Sequence, residues 1–510
     1  MAAAVGLVVV PLVELLAETA EAGAALDAGT GGAVGGSLLV STAATLVAVV
    51  VGTAGALITE RGPRPAVLRV AFVVPLVVPP FVSAVAAARA FGSGGLTDDL
   101  VGIAVPGLVG PVGIVLVMAV HAAPLVYLLV AASLATRARP EFEAAGLASG
   151  ASPRRVLGRI TLPLLGPAVV GGGALAFAVS MNSFGIPAVL GIPAGFPTIT
   201  TRIYGDLARS ASDEAFGRVL LLSVALVGIV LVAVVAAERM GRRATAVVPG
   251  AAAREPLPRT PPGRRGRGFL WVYLGVTTGV PLLALLATAL TRAVGLAPWP
   301  GNWTLANFSE AWSGPAWPAA TRSLALAALA ASVLSVFGLA AAVGARRSRW
   351  SGPVTAATFA VPGSALAVAV LLAYGPWLRD TLLLVLIAYL AKFWALAHRS
   401  IDGSAASLEQ EAVRAARAAG AGRWRTLRRI VLPSLLPAAA AGWLLVFLFG
   451  IHELTMSSLL YGPGTETLAV HTLNVQQLGD VTVTSALAVL LTVPGLVAAV
   501  VVARRHRRAS

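Results

Sequence analysis

Apolar residues fall into twelve runs, at about 1–17, 37–59, 66–90, 108–135, 163–190 and 216–237, then 269–291, 321–344, 352–376, 380–398, 433–460 and 484–503. A helix rises roughly 1.5 Å per residue, so about 20 apolar residues cross a hydrocarbon core about 30 Å thick. The pattern predicts an all-α integral membrane protein with about twelve transmembrane helices. The connections between runs repeat. Residues 143–168 read EAAGLASGASPRRVLGRITLPLLGPA and residues 413–438 read VRAARAAGAGRWRTLRRIVLPSLLPA, so Gly150 answers Gly420 and Pro163 answers Pro433 at one offset of 270. Val10-Pro11-Leu12 answers Val280-Pro281-Leu282 at the same offset. Gly52 answers Gly338 at 286, which leaves about sixteen extra residues between the first two runs of the second copy, in the tract holding Trp299, Trp303 and Trp312. Tryptophans fit a membrane interface there. The chain is a tandem duplication of a six-run unit.

Each repeated stretch is an Ala-rich helical start, a Gly-Ala break, a basic amphipathic turn and a Leu-Pro opening an apolar run. The glycine supplies the positive φ of a sharp helix-to-helix bend, and the small alanines let another backbone approach closely. The proline, lacking an N–H, suits the first turn of the helix that follows. Together these predict a short elbow at the membrane surface.

Composition and charge add topology. The 510 residues are 57% hydrophobic and 12% charged, with mean hydropathy +0.85. A net charge of +16 would point to nucleic acid in a soluble protein, but here the basic residues sit between apolar runs and report orientation. Assigning connections alternately to two sides puts 29 arginines on one side and six on the other. That bias predicts a multi-pass protein of the cell membrane with both termini and both elbows cytoplasmic. Cysteine is absent, which excludes disulfides and thiolate metal sites. The only lysine, Lys392, lies in LAKFW, so the Gly-Lys-Ser/Thr of a nucleotide-binding loop is missing and ATP must be handled by another subunit.

The first run has no basic flank and is followed by Glu18 and Glu21, which fits a retained helix rather than a cleaved signal. Arg264, Arg265 and Arg267 precede the matching run of the second copy, which suggests a natural start upstream with a basic leader. Residues 238–268, rich in Arg, Pro and Gly without periodicity, read as a cytoplasmic linker between a first repeat, 1–237, and a second, 269–510. Its arginines suit anionic lipid, and no nucleic acid is expected.

Ala144-Ala145, four residues, Gly150 and Ala415-Ala416, three residues, Gly420, each with a Leu-Pro ending thirteen residues past the glycine and each between the fourth and fifth spans of a six-span half, resemble the coupling loops of type I ABC importer permeases. The resemblance covers nearly the whole chain and implies that fold. It also implies two copies of a cytoplasmic ATPase as partners, an extracytoplasmic substrate-binding protein, and no cofactor. In that family the loop seats in a cleft of the ATPase. Docking would then fall on Ala144, Ala145, Gly150, Leu162 and Pro163 in the first copy, and on Ala415, Ala416, Gly420, Leu432 and Pro433 in the second. The sequence departs from the family where a glutamate is usual, having Ala144 and Arg414 there, with Glu143 and Glu411 displaced nearby. What remains is helix-in-groove packing by small and apolar residues.

The tracts after the fifth spans, SMNSFGIPAVLGIPAGFPTITTRIYGDL and GIHELTMSSLLYGPGTETLAVHTLN, resemble the two-half permeases of ferric-iron importers. Permeases for thiamine, aminoethylphosphonate, polyamine and sulfate share the framework. Gly185, Pro187, Gly191, Pro193 and Gly195 break the helix into bends, tolerated at membrane depth where they pack in protein or line a cavity, which makes them gate candidates. Glu14, His121, Lys392 and Glu453 are the ionisable groups placed at membrane depth, and Glu453 joins the candidate path. No His/Asp/Glu cluster has metal-ligand spacing, so iron recognition would belong to the binding protein. A secondary transporter of twelve spans would show more mid-membrane charge for ion coupling. An intramembrane enzyme would need paired carboxylates, a histidine-rich metal set or an activated serine, and the sequence offers none.

Overall fold

The computed structural model describes the whole chain except residues 1, 23–26, 61–68, 70–71, 137–139, 211, 245–263, 297–298, 345–354, 356, 359, 407–409 and 510. The principal elements of the first half are α1 (Ala2–Glu21), α2 (Ala28–Thr59), α3 (Pro80–Phe91), α4 (Pro111–Thr136), α5 (Pro140–Ala148), α6 (Pro153–Met181), α7 (Gly185–Leu190), α8 (Ile199–Arg209) and α9 (Asp213–Ala244). Those of the second half begin with α10 (Arg264–Leu274, continuing through a π turn to Leu290), α11 (Ala306–Trp312), α12 (Ala316–Gly344), α13 (Gly363–Leu378) and α14 (Leu382–Ala406). They continue with α15 (Gln410–Ala418), α16 (Arg423–Ile451), α17 (Ser457–Leu460), α18 (Leu468–Gln477) and α19 (Val481–Ala509). Among the described residues extended pairing is limited to one isolated bridge, Thr291 with Trp303.

Each of the twelve apolar runs carries helix, and among the described residues eight helices are long and apolar enough to cross a membrane, with Gly363–Leu378 and Val481–Val497 as shorter apolar helices. Four runs are interrupted where apolar content alone suggested continuous spans. Run 66–90 makes a 3-10 turn at Val74–Leu76 and starts again at Pro80, because Pro75, Pro79 and Pro80 cannot donate to a helical ladder. Helix in run 352–376 restarts at Gly363, behind Pro362. Runs 163–190 and 433–460 stop at Met181 and Ile451. Helix also overruns both ends of the expected linker, to Ala244 and from Arg264, while residues 245–263 of that linker lie outside the described residues.

In lipid, helices associate through close van der Waals packing rather than hydrophobic transfer, so small residues sit at the contacts. A Cβ built on Gly172 of α6 would lie 3.1 Å from the Cα of Val126 on α4, and one on Gly442 of α16 would lie 3.1 Å from the Cβ of Ser400 on α14. These two glycines are 270 apart, so the same approach is used in both halves. The halves also exchange their first helices. Val8 of α1 is buried among Leu366, Tyr389 and Trp394 of the second half, while Leu270 and Leu274 of α10 are buried with Phe72 and Tyr127 of the first. The Phe72 ring lies 4.7 Å from Tyr127 and 5.6 Å from Tyr273, so three elements share one aromatic stack.

Candidate coupling and gating site

The two elbows have one conformation. α5 ends in a Schellman motif: Gly150 at φ +82° donates to Leu147 O, and Ala151 donates to Gly146 O. α15 ends identically, with Gly420 at φ +78° donating to Arg417 O and Ala421 to Ala416 O. After each bend the chain enters a helix whose second turn widens into a π segment, Leu157–Thr161 and Leu427–Val431. This corrects the expected place of the prolines. Pro163 and Pro433 lie inside continuous helices that begin at Pro153 and Arg423, ten residues earlier, rather than in a first turn. A proline ring clashes with the carbonyl four residues back, and the π segment just before it shifts the ladder so that Leu162 donates to Leu157 O and Leu432 to Leu427 O.

Burial follows the same repeat, with positions 143–160 and 413–430 alternating between exposed and covered in one identical order. Ala144, Ala145 and Gly150 are exposed, as are Arg414, Ala415 and Gly420, while Ala416 is half-covered. Leu162, Pro163 and Pro433 are exposed and Leu432 is half-covered. Exposed Phe142, Leu147 and Trp424 add apolar surface beside them. The displaced Glu143 accepts a hydrogen bond from the buried Thr161 hydroxyl at 2.8 Å, which fastens α5 to the π segment of α6. Valines stand at both matching positions in the second copy, 413 and 431, so that fastening belongs to one elbow.

The interrupted fifth runs bring the halves together. All of α7 is buried, including Gly185 and Pro187, and Gly191 closes it by donating to Pro187 O at 2.8 Å. A Cβ on Gly185 would meet the Cβ of Phe81 at 2.5 Å and Leu454 of the second half at 3.2 Å. One on Gly191 would meet Pro187 O at 2.7 Å and Phe196 O at 3.0 Å. Gly185 is thus required for close approach between α3 and the junction of the halves. Glu453 precedes Leu454 and bonds to backbone N–H groups of its own tract. Among the described residues no group of three or more His, Asp and Glu comes together.

A second pair of equivalent contacts lies at the ends of α2 and α12 remote from the elbows. The buried N–H of Ile199, opening α8, donates to Ser37 Oγ at 2.7 Å; that of Leu468, opening α18, donates to Ser323 Oγ at 2.8 Å. Ser37 and Ser323 are 286 apart, the offset of Gly52 and Gly338, so this pair was findable in the sequence and was missed because serine is a weak signal alone. Charge reinforces each contact. Arg202 and Arg218 bond to Asp206 at 3.2 and 3.1 Å, and Arg202 reaches Asp27 at 3.5 Å. In the second half Arg322 donates to the carbonyls of Glu466 and Gly464, while His471 and Asn474 approach the Glu466 carboxylate at 3.3 and 2.6 Å.

Hydrogen bonds from Thr30, with the charges of Arg202 and Arg218, hold Asp27 below its ordinary 3.8. Burial pushes Glu466 up, but the bonds from His471 and Asn474 and the charge of Arg322 outweigh it and leave it below 4.5. Both carboxylates have depressed folded values, so their stabilisation is present above the ordinary values and is lost as pH falls through the lower folded ones. The melting temperature of the purified protein is expected to stay level from neutral pH to about 5 and to drop below about 4. Asp27→Asn with Glu466→Gln is expected to flatten that acid limb; an unchanged limb would locate the sensitivity elsewhere.

The family described as binding-protein-dependent transport system inner membrane component matches residues 31–245 and 334–509, one segment in each half. A protein of Haemophilus influenzae named for ferric transport system permease is 26% identical over 454 residues, covering 83% of this chain and 69% of its own length. The ferric transport system permease protein of Actinobacillus pleuropneumoniae is 25% identical over 463 residues, 86% of this chain and 66% of its own length. A protein of Salmonella typhi named for 2-aminoethylphosphonate transport system permease is 27% identical over 242 residues, 46% of this chain and 91% of its own. The chain therefore spans about two thirds of the length of the two ferric relatives.

Proposed function

Because the chain belongs to the family of inner-membrane components of binding-protein-dependent transport systems, we propose that it is the permease of an ATP-driven importer whose cargo is ferric iron. The observation that carries this is the pair of elbows, alike in hydrogen bonding, in positive-φ glycine and in exposure. Two such surfaces in one chain suit two copies of a cytoplasmic ATPase. Ala144, Ala145, Gly150, Leu162 and Pro163 meet one copy, and Ala415, Ala416, Gly420, Leu432 and Pro433 the other. The repeats are 1–237 and 269–510, joined by a cytoplasmic linker at 238–268, with both termini cytoplasmic. Of the nine helices from α6 to α14, six are counted as crossings, α6, α9, α10, α12, α14 and the shorter α13, and an even number of crossings would return the second elbow to the side of the first. Closure of the ATPase pair moves the elbows, and α6 and α16 carry the motion to the tracts that meet at Gly185 and Leu454. Cargo released by an extracytoplasmic binding protein then gains inward access, with Gly185, Pro187, Gly191 and Glu453 along the path.

Ferric iron is preferred because the relatives aligned across both halves are named for ferric transport, whereas the aminoethylphosphonate relative aligns with under half of the chain. The test is uptake into proteoliposomes holding the permease, its ATPase and its binding protein, with labelled ferric iron, aminoethylphosphonate and molybdate compared. ATP-dependent iron uptake is expected. ATP-dependent uptake of another solute alone would overturn the cargo, and uptake driven by an ion gradient without ATPase would overturn the class.

A further inference from the structure

We infer that Lys392 is a positioning residue of the second-half gate, acting with Glu453 as an oppositely charged clamp that the first half lacks; this rests on the permease reading above. Lys392, on α14, donates from Nζ to the carbonyl of Val361, just ahead of α13. Glu453 lies in the break after α16. Its carboxylate accepts the N–H of Met456 at 2.9 and 3.0 Å, the N–H of Ser457 at 2.9 Å and the Ser457 hydroxyl at 3.1 Å. A cation thus donates to a carbonyl and an anion accepts from the free N–H groups that open α17, a charge-assisted hydrogen bond at each place. Lys392 stands on the same turn of α14 as Tyr389, whose hydroxyl bonds the Ser457 hydroxyl that Glu453 also accepts from. The bond between Tyr389 and Ser457 is 2.8 Å long, with both groups buried. Four side chains therefore tie α14, the approach to α13 and α17 into one unit.

At the offset of 270, Lys392, Tyr389, Glu453 and Ser457 answer Ala122, Ala119, Ser183 and Pro187. No charge stands at those positions, and the buried Ser183 Oγ has no hydrogen-bond partner. α7 is held instead by packing, with Gly185 against Phe81 and Leu454. The gates are mechanically unequal: the second-half tract is a fixed jaw and the first-half tract is the one that yields. Glu453, already accepting bonds at both oxygens, serves as a cap rather than as a ligand for passing cargo.

The chain contains no cysteine, so single cysteines report directly. Ser458→Cys and Ala188→Cys occupy equivalent sites 270 apart, 3% and 4% exposed. In proteoliposomes with the ATPase, Lys392→Met is expected to raise the labelling rate of Ser458→Cys by a small thiol reagent about tenfold, and to leave Ala188→Cys unchanged. Removing one member of a partly buried pair strands the other charge, whereas removing both does not. Lys392→Met combined with Glu453→Gln is therefore expected to bring labelling most of the way back. Equal rises at both cysteines, or additive effects in the double variant, would reduce Lys392 to a packing residue and overturn the inference. Labelling needs no cargo, so failed iron uptake would bear only on the proposed substrate.

Discussion

Replacing Gly150 and Gly420 together by valine is expected to cut ATP-driven uptake about tenfold or more while the protein still inserts in the membrane. Both residues sit at φ near +80°, with nothing within 4 Å of a built Cβ, so the penalty is conformational rather than steric crowding. An L-residue in the left-handed region costs roughly 1–2 kcal/mol, and a β-branched one sits there worst of all. The chain relieves that strain by leaving the left-handed region, which breaks both Schellman bonds and swings α5 or α15 away from its following helix. Such a change leaves the buried core alone and misplaces the surface proposed to meet the ATPase. Ser149→Val with Ala419→Val, one residue earlier and outside the left-handed region, is the matched control and is expected to retain most uptake. Equal loss in both pairs would place the sensitivity in surface chemistry rather than backbone shape.

Gly52→Val is expected to destabilise the protein by about 3 kcal/mol or more, against about 1 kcal/mol for Gly338→Val, its counterpart. A Cβ at Gly52 would lie 2.5 Å from the carbonyl oxygen of Ala123 and 2.8 Å from Val126 Cβ, where backbone must move. At Gly338 the nearest atom is Ile401 Cδ1 at 2.8 Å, the tip of a flexible side chain, with backbone no closer than 3.5 Å. α2 is thus locked on α4 more tightly than α12 on α14, although the sequence writes both as glycine. Thermal unfolding of the two variants separates the cases, and equal shifts in melting temperature would contradict the packing described.

What the sequence made legible is local and periodic. Apolar runs placed the helices, and the repeated Gly150 and Gly420 placed the bends, because a left-handed turn leaves a residue-level mark. The interruptions were harder. Pro75, Pro79 and Pro80 were visible inside run 66–90, but hydropathy counted them as span. The stop at Met181 was marked by the glycines and prolines from Gly185 onward, whereas the stop at Ile451 is followed by no glycine or proline until Gly462. Pro163 and Pro433 misled, since a π segment lets a helix run through a proline that would otherwise begin it. The exchange of α1 and α10 joins residues hundreds of positions apart and leaves no periodic trace. Lys392 and Glu453 stood out as charges at membrane depth, yet only the fold reveals that Lys392 meets the Val361 carbonyl and Glu453 the N–H groups of Met456 and Ser457.

The most direct measurement uses Ser149→Cys and Ala419→Cys, placed singly in the cysteine-free chain and probed with a membrane-impermeant thiol reagent in whole cells and in inverted vesicles, with and without the ATPase bound. Both cysteines are expected to react only from the cytoplasmic face and to be protected by the ATPase. Reaction of either from outside, or reaction unchanged by the ATPase at both, would contradict two cytoplasmic coupling elbows.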